Sequence, residues 1–412
     1  MKTKKINLLF VHLNFPGQFK ELLNSLKKHE NVRLAFITSH QTAELDGVDI
    51  RRFRQPNTNP KGMVNYLGTI NQNLEGSKEV TRQAIELARE GFKPDAIIGH
   101  IGWCGLVFMK DVFPDAKLIG YTEWYYRWEN SWEHFSKQKI PLNTKAKIRM
   151  MNASSVIGFE SLDESVTPTH WQRSVFPKVH QRNMHVIHEG IDTEVCSPKE
   201  RNELNIPGCR LDKDAKIVTY IARSMEPARG FFSYMAAVEK LCKLDTELQF
   251  VVVGRPRSAY SDGTGDGSTY QQQALEKYDC DWSRVHFCGK LPYDDYLQVL
   301  RNTSVHIHFS MPLFLSWSLL EAMACGCTIV GSSNAPVNEV IKDDVNGRVV
   351  PFFDTQALTE QVVDLLNDRT AAKRLGAAAR QTVIEHYEVS QCTEKWKSLI
   401  LRTIKNNYPK ID

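Results

Sequence analysis

Short apolar runs rich in β-branched residues recur along the chain with helical stretches between them, and no other feature restricts the fold as much. The first series is INLLFV (6–11), AIIGH (96–100), KLIGY (117–121), SVIGF (155–159) and HVIHEG (185–190). The second is KIVTYI (216–221), QFVVVG (249–254), RVHFCG (284–289), SVHIHFS (304–310), CTIVGS (327–332) and GRVVPF (347–352). Strands apolar on both faces must be covered on both faces, which is the condition of a parallel sheet flanked by helices. Two series predict two doubly wound α/β domains, and 412 residues suffice for two cores. The join, DTEVCSPKERNELNIPGCRLDKDA within 190–215, is rich in polar residues, Pro and Gly and reads as a linker. The predicted domains are 1–195 and 196–386, with a final helix in 387–412 returning to the first. That helix carries Trp396, Leu399, Ile400 and Ile404 at three- and four-residue spacings, one apolar face. The stretch RPRSAYSDGTGDGSTY (255–270) reads as a mobile loop.

Composition excludes several classes. With 42% hydrophobic and 24% charged residues the chain is neither a disordered tail nor a fibre. A net charge of +4 does not predict non-specific nucleic-acid binding, although it allows a local basic cleft for phosphates. Nine cysteines, an odd number without C-x-x-C spacing, fit a reducing cytosol, and Cys325 and Cys327 read as core residues rather than metal ligands. The N-terminal apolar run INLLFV is too short for a signal peptide, so a soluble cytoplasmic protein is expected.

In open parallel sheets ligands sit beyond the carboxyl ends of the strands, so the residues after each strand carry the information. VHLNFPGQF (11–19) follows the first strand without G-x-G-x-x-G, which argues against a dinucleotide dehydrogenase. Gly17 either lets backbone approach a phosphate or serves the turn alone. His100 ends its strand and is either a sugar-hydroxyl ligand or a satisfied core histidine. In IARSMEPARGFF (221–232), Arg223 falls in the loop and Arg229 at the helix start. Two guanidiniums beside a helix N-terminus suit a diphosphate, and solvated surface arginines are the alternative. In SWSLLEAMACG (316–326), Glu321 falls in the first helical turn, either as a capping box with Ser318 or as an acceptor for vicinal ribose hydroxyls.

These segments together resemble the retaining family 4 glycosyltransferases of GT-B architecture over nearly the whole chain. The resemblance is carried by HLNFPGQF, PDAIIGHIGWCG, GYTEWYYRWEN, TPTHWQRSVFP, VIHEGIDTEVCSP, ARSMEPARGF and GKLPYDDYLQVL. Most specific is PLFLSWSLLEAMACG followed by SSNAPVNEVI. It implies two Rossmann-like domains facing across a cleft, a nucleotide-sugar donor held mainly by the second and an acceptor held by the first. It also implies that the domains close on the donor, excluding water. On that likeness Arg223 and Arg229 grip the donor diphosphate, Glu321 binds ribose, His100 contacts the donor sugar and Gly17 lies on the phosphate-side loop. Leu291, Ser316, Trp317 and Ser318 complete the donor set, the last three through N–H groups at a helix start. Asn14, Trp103, Glu123 and Tyr125 are the acceptor-side candidates. The family's usual pair of glutamates is separated by seven residues, whereas Leu313 stands here in place of the first, and E-G-F-G reads Leu313, Phe314, Leu315, Ser316. The wording P-x-x-L-S-W-S-L-L-E-A-M is similar to that of a branch of the family.

Breaking the bond to a diphosphate through an oxocarbenium-like state requires stabilisation of the departing charge. Paired arginines and a helix dipole can supply it, and no Asp-x-Asp stands where a metal-dependent transferase would need one. The expectation is therefore metal-independent transfer with retention, no cofactor beyond the nucleotide sugar, and an unidentified acceptor. A sugar-nucleotide epimerase, a non-catalytic nucleotide-sugar-binding protein and a transferase acting on modified DNA bases are the competing readings.

Overall fold

The computed structural model describes residues 5–56, 67–103, 105–257 and 267–405. The chain divides into two compact units, Met1–Gly190 with Val389–Asp412, and Ile191–Glu388.

The first unit is built on seven parallel strands: β1 (Ile6–Val11), β2 (Val32–Thr38), β3 (Val48–Arg52), β4 (Ala96–His100), β5 (Lys117–Tyr121), β6 (Glu164–Thr167) and β7 (Met184–Val186). Their order is β3-β2-β1-β4-β5-β6-β7. The two-residue period of a strand divides its side chains between two cores. Leu8 and Phe10 join Leu22 and Leu23 of helix Lys20–Leu26 on one face. Leu9 and Val11 join Val80, Ala84 and Leu87 of helix Gly68–Arg89 on the other. Helix Val389–Lys405 belongs to this unit, with Trp396, Leu399 and Ile400 buried in the first of these cores and Ile404 packed beside them.

The second unit begins with an antiparallel pair, β8 (Leu204–Ile206) and β9 (Cys209–Leu211). A parallel sheet follows: β10 (Ile217–Ser224), β11 (Gln249–Arg255), β12 (Val285–Gly289), β13 (Val305–His308), β14 (Ile329–Ser332) and β15 (Arg348–Val350). Their order is β12-β11-β10-β13-β14-β15. Each sheet thus reverses its winding once, between β1 and β4 in one unit and between β10 and β13 in the other. Crevices for ligands open at such switch points, at the carboxyl ends of the strands.

Several expectations need correction. SVIGF (155–159) is not a strand but part of helix Ala153–Glu160. Its fully buried residues are the small Ser154, Ser155 and Gly158, while Val156 and Ile157 are exposed and only Phe159 of the apolar run packs inward, against Phe176. β6, a few residues later, takes the strand position. β2 and β3 escaped notice because Arg33 interrupts the first and β3 is a polar edge strand. The supposed linker is folded structure: Leu204, Ile206 and Cys209 of the β8–β9 pair are buried in the second unit's main core. Of the Gly-rich stretch, 258–266 lie outside the described residues, as do Cys104 and 406–412. Among the described residues, no helix is long and apolar enough to cross a membrane.

Candidate active site

In the second unit, Arg223 is the penultimate residue of β10 and exposed, so it lies in the strand rather than in the following loop. The chain then turns through Pro227–Arg229 and enters helix Phe231–Leu244 at Gly230, whose φ is +72°. A Cβ at Gly230 would lie 2.2 Å from Cβ of Phe309, so only glycine lets the segment after β13 pack this close to the helix start. The Met311 N–H donates to the Ala228 carbonyl at 2.8 Å, tying the two segments together. The result is a stacked pair: Arg229, 8% exposed, holds its guanidinium against the Phe314 ring, Cζ 4.9 Å from the centroid. Nearby, Ser224 Oγ donates to Glu226 Oε1 at 2.6 Å. Burial, then His306 and Arg229, hold His308 well below the usual imidazole range, so it stays neutral beside the guanidinium.

Glu321 lies on helix Trp317–Ala324, whose N-cap Ser316 makes no side-chain capping bond. It is the fifth helical residue, beyond the first turn, and the capping-box alternative is thereby removed. Its carboxylate instead accepts from Tyr293 Oη at 2.9 Å and Tyr296 Oη at 2.6 Å. Ser316 and Ser318 hydroxyls lie 2.8 Å apart, and Trp317 is exposed. Leu291, between β12 and helix Tyr293–Asn302, packs against the core. The chain's two Asp-x-Asp triplets, Asp212–Asp214 and Asp279–Asp281, precede β10 and β12, at the edge of the sheet opposite Arg223.

In the first unit, four polar side chains gather where β1, β4 and β5 end. His100 Nδ1 accepts the Gly102 N–H at 3.1 Å, so in the neutral ring Nε2 carries the proton, 3.3 Å from Glu123 Oε2. Gln18 Nε2 donates to Glu123 Oε1 at 3.2 Å. Burial raises the Glu123 pKa, but bonding to His100 and Gln18 and the nearby His12 outweigh it and hold the carboxyl below its ordinary value. His12 packs edge-to-face on His100 at 5.4 Å, and burial with the His100 charge lowers its pKa to about 3. Gly17, at φ +58°, has a packing reason of its own: a Cβ there would lie 2.9 Å from the His12 ring.

The remaining candidates are more scattered. Asn14 is exposed, with its backbone bonded to His12 Nδ1. Tyr125 stacks obliquely on Phe176, centroids 5.6 Å apart, in a separate small cluster. Trp103 ends the turn Ile101–Trp103, and its side chain lies outside the described residues. Sequence reasoning passed over His12, Gln18 and the Tyr121–Glu189 hydrogen bond, which His188 joins at 3.3 Å from Glu189. The available signal was position: His12 directly follows β1, and His188 and Glu189 closely follow β7.

Comparison with known proteins bears on the family and the fold. The pattern of the Glycosyl transferase family 4 group matches residues 30–196, and that of the Glycosyl transferases group 1 matches residues 202–382. The chain belongs to the family 4 glycosyltransferases of GT-B fold. It is 26% identical over 228 residues to alpha-maltose-1-phosphate synthase of Mycolicibacterium smegmatis, covering 53% of this chain and 57% of that protein. It is 29% identical to N-acetyl-alpha-D-glucosaminyl L-malate synthase of Bacillus anthracis over 30% of this chain and 32% of that one. The chain thus spans about half the length, or less, of these curated relatives. The fold matches sucrose-phosphate synthase of Thermosynechococcus elongatus, with TM-score 0.75, 15% identity and 98% and 100% of the two chains covered. It also matches Anabaena HepE in complex with UDP-glucose, with TM-score 0.69, 15% identity and 96% and 100% covered. Within this family 4 member, Leu313 stands half-buried two residues beyond the anchored Met311.

Proposed function

We propose that this family 4 protein is a soluble cytoplasmic glycosyltransferase that moves a sugar from a nucleoside-diphosphate sugar to an acceptor hydroxyl, with retention and without a divalent metal. The observation that carries the reading is the position of Arg229 and Glu321 on segments that leave β10 and β13, the two strands at the second unit's switch point. Arg223 and Arg229 would bind the diphosphate, helped by the positive end of helix Phe231–Leu244, and stabilise it as it departs. Glu321 would accept from the ribose hydroxyls, and the N–H groups of Ser316, Trp317 and Ser318 would donate to sugar or phosphate oxygens. His100 would contact the donor sugar by exchanging its Nε2 bond to Glu123 for one to a sugar hydroxyl, leaving the acceptor to the first unit's remaining polar residues.

The test is a transfer assay in EDTA that follows nucleotide release and the anomeric configuration of the product. The reading expects released nucleoside diphosphate and a product that keeps the donor's configuration. An epimerised sugar nucleotide with no release would contradict it. A second reading, a nucleotide-sugar-binding protein without turnover, has Leu313 in its favour, and tight donor binding with no release would decide for it.

A further inference from the structure

The second unit carries another cavity, at the opposite edge of its sheet. Lys216, Ser304 and Thr328, which line it, immediately precede β10, β13 and β14, so it opens at the amino ends of those strands, away from Arg223 and Arg229. Its volume of about 670 Å³ lies in the range of small-ligand sites. Seven cations and only two carboxylates line it, a net of five positive charges where the entire chain carries +4.

Three of the cations are occupied. Lys216 pairs with Asp245 and Glu247, Arg201 donates to the Thr303 carbonyl at 2.6 Å, and Arg301 donates to the Val195 and Ser197 carbonyls. The other four, Lys199, Lys213, Arg369 and Lys373, are exposed and make no ion pair among the described residues. Burial lowers the Arg201 pKa and the Arg369 charge lowers it further, against Cys327 and Asp214. Arg369 is also the first residue of the 18-residue helix Arg369–His386, and Lys373 lies one turn on. The positive end of a helix disfavours cations, so Arg369 and Lys373 stand there against the dipole, beside the N-cap Asp368 whose carboxylate accepts from the Thr370 and Ala371 N–H groups.

We propose that this cavity is a second binding site, for a small molecule carrying at least two phosphate groups. Charge concentrated in a concave site, against local repulsion and a helix dipole, is the arrangement a polyanion would relieve. The proposal is independent of the donor site.

Inorganic pyrophosphate is the probe, titrated calorimetrically at low salt against the wild-type chain, Arg229→Ala and the double variant Arg369→Glu/Lys373→Glu. The expected result is binding that survives in Arg229→Ala and weakens at least tenfold in the double variant, whose melting temperature is unchanged or higher because acids now face the helix start. Arg369→Ala/Lys373→Ala is expected to weaken binding less. Equal affinity of the wild-type and charge-reversed chains would overturn the proposal. So would capture by phosphatidic-acid vesicles, but not phosphatidylcholine vesicles, without pyrophosphate binding, since that would assign the patch to a lipid surface.

Discussion

The guanidinium of Arg229 rests on the ring of Phe314, 4.9 Å from Cζ to centroid, so the residue proposed to hold the donor diphosphate is positioned by the segment that carries Leu313. In most settings a buried stack of this kind contributes about 0.5 to 2 kcal/mol. Arg229→Ala is therefore expected to lower both melting temperature and turnover. Arg223→Ala, at an exposed strand end, is expected to lower turnover alone. Loss of one charge-assisted bond, roughly 1.5 to 3 kcal/mol, corresponds to about ten- to hundredfold in kcat/KM. Steady-state kinetics and thermal melts of the two variants check this, and near-normal turnover in both would remove the diphosphate assignment.

Glu321→Gln separates architecture from ribose binding. A glutamine can still accept from one tyrosine hydroxyl and donate to the other, so a small change in melting temperature is expected. Ribose binding would lose its charged acceptor, and affinity for the nucleoside diphosphate is expected to fall several-fold. Titration of the nucleotide against both forms decides, and unchanged affinity refutes the ribose role.

Gly230→Ala and Gly47→Ala form a matched pair. Both glycines have positive φ, +72° and +81°, so each substitution meets a backbone cost of about 1 to 2 kcal/mol. Only Gly230 faces a neighbour, Phe309, and a Cβ at Gly47 would meet nothing within 4 Å. Chemical denaturation is expected to show a larger loss for Gly230→Ala, accompanied by loss of turnover that Gly47→Ala does not share.

Acid sensitivity should come partly from His12. Its pKa is about 3 in the folded chain against an ordinary 6.5, so between those values the unfolded state binds a proton that the native state does not. Stability present above pH 6.5 is therefore lost as pH falls toward 3, by about 1.4 kcal/mol per pH unit at full effect. Urea melts from pH 7 to pH 4 are expected to show a shallower decline for His12→Gln than for the wild-type chain, and parallel declines would contradict the assignment.

Periodicity made the sheets legible because fully buried parallel strands read as unbroken apolar runs, as AIIGH does in β4. It failed where those conditions lapse. VDIRR is an edge strand with half-solvated residues, and SVIGF is part of a helix whose fully buried residues are serine and glycine. For the candidate site, positions at or shortly after the ends of switch-point strands were readable from the sequence, as with His100 at the end of β4 and Arg229 in the turn after β10. Glu321's tyrosine partners were not, because Tyr293 and Tyr296 lie 28 and 25 residues away in sequence and meet it only through packing. His12 directly follows β1 and its position was readable, but its contact with His100, from a different strand of the sheet, was not.

The most direct measurement is the melting temperature of the wild-type chain and of Arg229→Ala against UDP-, GDP-, ADP- and dTDP-sugars in EDTA. Ligand that binds only the native state raises stability by mass action. The account predicts that sugars of one nucleotide stabilise the wild-type chain without metal and that the effect is largely lost in Arg229→Ala. No stabilisation by any of them, stabilisation that appears only with added Mg²⁺ or Mn²⁺, or an equal rise in both proteins would contradict it.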